Sequence, residues 1–126
     1  MRLSAGWLFG AAAGFNIVVG LALLFQRPWL EAILQLDPIT GSNLMLLVLT
    51  AGFILLFAYA YARIALDPVT WRPFIGFCVI GKTAAAASIL ACWLLGQVAW
   101  TLPALGSGDL IFAGLFLIYL RQTSAA

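Results

Sequence analysis

Four long apolar segments separated by short polar connections dominate the chain. They cover residues 4–25, 43–63, 74–96 and 103–121. Each is close to the about 20 residues that a helix needs to cross the hydrocarbon core of a bilayer. The pattern therefore predicts four membrane-spanning helices.

One connection has a helical pattern of its own. Residues 29–36 follow Pro28 and place Leu30, Ile33 and Leu36 three residues apart, beside polar side chains. Such a pattern is typical of a short helix that lies on the membrane surface.

Composition supports the membrane interpretation. Of the 126 residues, 65% are hydrophobic and 8% are charged, whereas a soluble domain carries about 25% charged residues. Short connections place consecutive helices side by side. We therefore predict an all-α fold, with residues 1–126 forming one transmembrane domain, a four-helix up-down bundle with short loops.

The basic residues predict the orientation of this bundle. An even number of spans puts both chain ends on one side. That side carries Arg2, Arg63, Arg72 and Arg121, whereas the opposite connections carry Arg27. By the positive-inside rule, we expect an inner-membrane protein with both termini in the cytoplasm. The net charge of +2 is scattered, so we expect no nucleic-acid partner.

Small residues mark one face of the first span. Gly6, Gly10 and Gly14 are four residues apart, so they lie on the same side of a helix and allow another backbone to approach closely. The approaching helix belongs either to the same chain or to a second copy in a homo-oligomer.

Two ionisable residues, Lys82 and Asp109, fall inside apolar segments. A charge at the middle of a span costs about 2.5 to 3.5 kcal/mol on insertion scales. From the helical rise, Lys82 lies about 12 Å, Asp109 about 17 Å and Asn16 of the first span about 18 Å from the cytoplasmic edge. Because a lysine stem can cover the roughly 5 Å difference, the three residues are expected to form one polar layer.

Thr50 of the second span and Thr83, next to Lys82, complete the candidate residues of this layer. Three interpretations are open. The layer is a buried ion pair that orders the bundle, or it lines a site for a small ligand, an ion or a proton. In the third, Lys82 extends to the cytoplasmic headgroups and Asp109 is hydrated near the other surface.

A second group of candidates lies where the second span leaves the membrane. We call Tyr59, Tyr61, Arg63 and Asp67 the cytoplasmic mouth. They are either an aromatic belt with its basic residue and a loop turn, or a site for a headgroup or substrate.

Residues suited to catalysis are scarce. The chain has no histidine, which excludes a histidine base and histidine-ligated metals, and it has no paired carboxylates within one span. We expect no catalytic residue, no metal and no cofactor, and the sequence favours a non-enzymatic protein.

Several short motifs in a fixed order resemble those of small, uncharacterised bacterial four-span membrane proteins that are loosely DoxX-like. The motifs are Asn16 and Gly20, Pro28, Tyr61-Ala62-Arg63, Asp67-Pro68, Trp71, Gly81-Lys82 and Asp109. The last span departs from the pattern, because Gly108 precedes Asp109 where relatives have Asn, and Phe112 follows where they have Trp. The resemblance implies a membrane location and four helices, and it implies no activity.

Two functions are compatible with these features. The first is an accessory subunit or a module that binds a small molecule or lipid, with the bilayer and either a second copy or another membrane protein as partner. The alternative is a minimal dimeric small-molecule transporter that uses Asp109 as its membrane carboxylate.

Overall fold

The computed structural model describes residues 1–124, which form five helices and no strand. The helices are α1 (Ala5–Phe25), α2 (Arg27–Leu34), α3 (Asn43–Leu66), α4 (Arg72–Leu94) and α5 (Thr101–Ser124). All of them except α2 are long and apolar enough to cross a membrane. The predicted all-α fold with four spans is confirmed, and the chain is compatible with a multi-pass membrane protein.

The short helix α2 begins and ends earlier than the predicted 29–36. Pro28 lies in its first turn, where a helix needs no backbone N–H donor. Gln35 adopts a left-handed conformation with φ of +54° and ends the helix. Leu30 and Leu34 are its buried residues, so these two side chains attach it to the bundle.

Helix α4 ends at Leu94, before the predicted end at residue 96. Gly96 has a φ of +72°, which glycine adopts without steric cost. Its N–H donates to the carbonyl of Trp93 over 2.9 Å, and the N–H of Gln97 donates to Cys92 over 2.9 Å. These bonds satisfy carbonyls that the end of the helix leaves without partners.

Helix α5 extends beyond both predicted ends. It starts at Thr101, because Pro103 is tolerated in a first turn. At the other end, the hydroxyls of Thr123 and Ser124 donate to the carbonyls of Tyr119 and Leu120 over 2.9 and 2.7 Å. The helix is continuous through its glycines, so Asp109 lies within it and is not an N-cap.

The long helices associate as two pairs. Helix α1 packs along α3, α4 packs along α5, and the contacts between the pairs are sparser. Near the chain ends, Phe9 of α1 stacks on Phe116 of α5 at 4.5 Å and meets Tyr119 edge-on at 5.5 Å. The N–H of Leu3 donates to Gln122 Oε1 over 3.0 Å, which places both ends of the chain on the same side, as the sequence predicts.

Close packing in the bundle involves glycines other than those of the predicted face. Around Gly10 and Gly14, no side chain and no atom of another helix in the described chain would lie within 4 Å of an added Cβ. By contrast, a Cβ on Gly20 would lie 2.8 Å from Leu55, and one on Gly81 would lie 2.7 Å from Phe57 Cζ. Helix α1 therefore leaves its glycine face open within residues 1–124, and α3 approaches α4 closely at Gly81.

Because of the contact at Gly81, alanine substitutions at Gly81 and at Gly76 should affect stability differently. Gly81→Ala should lower the free energy of unfolding by about 1–3 kcal/mol, because the methyl group forces the Phe57 ring to move. Gly76→Ala on the same helix meets no neighbouring atom and should stay within about 1 kcal/mol of the native protein. Unfolding in detergent micelles measures both, and equal effects would contradict the close approach.

Candidate functional site

Three of the predicted residues meet in the middle of the bundle. Lys82 Nζ donates to Asp109 Oδ1 over 2.6 Å and to Asn16 Oδ1 over 3.2 Å. The amide of Asn16 in turn donates to the carbonyl of Ile54 over 3.1 Å. We call Asn16, Lys82 and Asp109 the polar cluster. Through these bonds, α1, α3, α4 and α5 are all joined at one level.

The ammonium group of Lys82 is also enclosed by aromatic rings. Its Nζ lies 5.2 Å from the ring centroid of Tyr61, 5.3 Å from that of Phe112 and 5.7 Å from that of Phe15. The face of an aromatic ring attracts a cation. Lys82 is 3% exposed, so it does not extend to a headgroup layer, and the third interpretation of the polar layer is wrong.

A cavity of about 400 Å³ lies beside the polar cluster, between the two helix pairs. Its lining is mostly apolar and aromatic, and it includes the polar cluster and Thr50: Phe15, Asn16, Val19, Thr50, Phe53, Ile54, Phe57, Tyr61, Gly81, Lys82, Ala85, Ile89, Leu105, Gly106 and Asp109. A volume of this size is within the range of small-molecule sites in proteins.

The two threonines predicted for the polar layer differ in position. Thr50 lines the cavity, and its hydroxyl donates to the carbonyl of Leu46 over 2.7 Å. Thr83 is exposed and does not line the cavity. Consecutive residues of a helix point about 100° apart, so Thr83 is turned away from the space that Lys82 faces.

Three residues of the cytoplasmic mouth lie near one another, and the fourth, Tyr61, lies apart from them. Tyr59 is exposed and meets Trp71 edge-on at 6.1 Å, while Arg63 lies 5.2 Å above the same ring. Asp67 follows the end of α3, where hydrogen bonds from the hydroxyl and the N–H of Thr70 hold the pKa of Asp67 below its usual value. Tyr61 instead turns inward and lines the cavity.

Tyr61 is the candidate residue whose position differs most from the sequence-based prediction. It is 1% exposed, and its hydroxyl makes no hydrogen bond within residues 1–124. Among those residues, Arg27 Nε is the only fully enclosed side-chain polar atom without a hydrogen-bond partner, so the Tyr61 hydroxyl is in contact with open space. Because Tyr61 borders the cavity, its hydroxyl can bond to a molecule held there.

Sequence reasoning did not identify the aromatic wall of the cavity. Phe53, Phe57 and Tyr61 are four residues apart on α3, a spacing that puts them on one side of a helix. Phe15 directly precedes Asn16 on α1. The helical spacing was therefore visible in the sequence, but nothing in it shows which side of α3 faces the polar residues.

Comparison of the chain with protein-family models, with curated proteins and with solved structures gave no match. The DoxX-like resemblance stays a prediction. Any functional conclusion therefore depends on the geometry of the cavity.

The ion pair predicts a strongly non-additive mutant cycle. Lys82→Met or Asp109→Leu alone should lower the free energy of unfolding by about 3–5 kcal/mol, because each leaves the other charge buried without its partner. The double variant should recover much of the loss.

Equilibrium unfolding of the four proteins in detergent measures this coupling. Arg121→Met, at an exposed position at the end of α5, is the control for loss of one positive charge and should change stability by less than about 0.5 kcal/mol. Additive losses in the cycle would show that Lys82 and Asp109 do not stabilise each other.

Proposed function

We propose that this protein is a non-enzymatic membrane module that holds a small, largely apolar molecule between its two helix pairs. The observation that carries the proposal is the cavity of about 400 Å³ that borders the polar cluster. Ligand sites in proteins typically combine an apolar lining with a few polar groups that orient the ligand, and this cavity has that composition.

The polar cluster supports binding more than catalysis. Lys82 and Asp109 are engaged with each other at 2.6 Å, and Asn16 bonds to both Lys82 and the backbone of α3. A lysine that acts as a nucleophile or base must first lose its proton. Lys82 Nζ instead donates hydrogen bonds to Asp109 and Asn16.

The basic residues support an orientation of the chain in the membrane. We place both chain ends in the cytoplasm of a bacterial cell, since Arg63 and Arg72 flank the connection that lies on that side. The guanidinium of Arg72 donates to the hydroxyl of Ser124 over 2.8 Å and also bonds to Thr123, which fastens α4 to the end of α5 there. The DoxX-like resemblance agrees with this membrane location.

One observation favours a second function, proton-coupled transport. The side chain of Asp109 lines the cavity and is 20% exposed, so a substrate could reach a carboxylate within the span. Uptake of ethidium into proteoliposomes under a pH gradient, lost in Asp109→Asn, would favour transport over binding alone.

Photolabelling in liposomes tests the binding proposal. A dodecane chain that carries a diazirine should label the cavity residues of α3 and α5 saturably, because the cavity holds a limited number of molecules. Ala85→Phe fills the cavity from its exposed side and should reduce this labelling several-fold.

Ala84→Phe is the matched control. Ala84 is the exposed neighbour of Ala85 on α4 and does not line the cavity, so its variant should label like the native protein. Labelling that rises linearly with probe concentration in all three proteins would show ordinary lipid contact and would refute the proposal.

A further inference from the structure

Two polar groups at the cavity have hydrogen-bonding capacity that the described chain does not use. The hydroxyl of Tyr61 makes no hydrogen bond within residues 1–124, and it is not one of the fully enclosed polar atoms there, so it can be reached from the cavity that Tyr61 lines. Asp109 accepts from Lys82 through Oδ1, and its Oδ2 has no partner in the same part of the chain. One group is a free donor and the other is a free acceptor.

Both residues line the cavity, and both lie beside the ammonium group of Lys82. Lys82 Nζ lies 5.2 Å from the ring centroid of Tyr61 and 2.6 Å from Asp109 Oδ1. A single ligand atom that both accepts and donates a hydrogen bond would use the capacity of both groups. An oxygen that carries a proton is such an atom.

The charge of the site favours a neutral ligand. The ion pair of Lys82 and Asp109 has no net charge, and both residues lie in the middle of their helices. A charged ligand would bring an uncompensated charge into this region, which is costly in a bilayer. A carboxylate would also be repelled by Asp109, and an ammonium group by Lys82.

The cavity opens between α3 and α4. These helices touch where Gly81 meets Phe57, and otherwise they share few contacts. Thr50, Phe53 and Ala85 line the cavity and are also exposed, with Phe53 at 55%. For helices that span a membrane, this opening faces acyl chains, so a ligand that enters here must dissolve in the bilayer.

We infer that the occupant of the cavity is a neutral, membrane-soluble alcohol or phenol that enters between α3 and α4. Its hydroxyl oxygen accepts a hydrogen bond from the Tyr61 hydroxyl, and its O–H donates a hydrogen bond to Asp109 Oδ2. Its hydrocarbon part packs against the apolar lining, which includes Phe53, Phe57 and Ile89. This inference rests on the proposed binding function and names the chemical class of its ligand.

A series of competitors with the same twelve-carbon chain, measured against the photoreactive dodecyl diazirine, tests the inference. Dodecanol should compete with the dodecyl diazirine at a concentration about three- to tenfold lower than its methyl ether, which accepts from Tyr61 but cannot donate to Asp109. That ratio corresponds to one net hydrogen bond. Dodecane, dodecanoic acid and dodecylamine should all compete less well than dodecanol.

Tyr61→Phe removes only the hydroxyl and should reduce the advantage of dodecanol over dodecane about three- to tenfold, the loss of one of its two hydrogen bonds. Tyr59→Phe is the matched control, because Tyr59 is exposed and lies outside the cavity, and it should keep that advantage. The comparison of probes on the native protein gives an answer even where a variant is unstable.

The outcomes separate the two proposals. Saturable labelling with no preference for dodecanol, or with a preference for the acid or the amine, would overturn the ligand class and leave the binding function intact. An absence of saturable labelling with every probe would overturn the binding function itself.

Discussion

A charged side chain in the hydrocarbon core of a bilayer must be neutralised and hydrogen-bonded, and this requirement ties the bundle together. Asp109 on α5 accepts from Lys82 on α4, which also donates to Asn16 on α1, whose amide donates to the carbonyl of Ile54 on α3. One chain of hydrogen bonds therefore includes all four long helices. Because each bond tolerates little displacement, the cluster fixes the depth of the helices relative to one another as well as their order around the bundle.

The same cluster explains how a cavity can persist between the two helix pairs. Aromatic packing of Phe9 against Phe116 holds α1 to α5 near the chain ends, and the approach of Phe57 to Gly81 holds α3 to α4 closer to the cluster. Tyr61 of α3 also packs against Phe116 of α5 at 5.5 Å, within an apolar core that all four long helices share, and beside the cavity the polar bonds join the pairs. Hydrogen bonds fix the helices at a set distance without filling the space beside them, whereas an apolar interface would be free to collapse until it is densely packed.

Much of the fold follows from the sequence, because long apolar segments have few alternatives in a membrane. Lys82, Asp109 and Asn16 could also be grouped in advance, since depth along a span depends only on position. The side of the helix that faces the bundle interior is harder to infer from the sequence. Tyr61 was assigned to the cytoplasmic mouth because the second span was expected to end at residue 63, whereas α3 continues to Leu66 and leaves Tyr61 well inside the bundle. Likewise, spacing shows that Gly10 and Gly14 share a face with each other, but not which way that face points.

Polar atoms at the ion pair keep hydrogen-bonding capacity that the described chain does not use, and this favours a bound ligand. A buried pair that only orders a bundle gains most when packing encloses it and every polar atom has a partner, because an unpaired polar group in an apolar region is costly. Here the hydroxyl of Tyr61 and Oδ2 of Asp109 make no hydrogen bond within residues 1–124, neither atom is fully enclosed, and both residues border the cavity. One more large apolar side chain would reduce that space, and the exposed Ala85 lies where such a side chain could extend into it, whereas a Cβ on Gly106 would already lie 3.3 Å from Ile89. Small residues beside unsatisfied polar groups are what a site for a separate molecule requires, since that molecule supplies both the missing volume and the missing bonds.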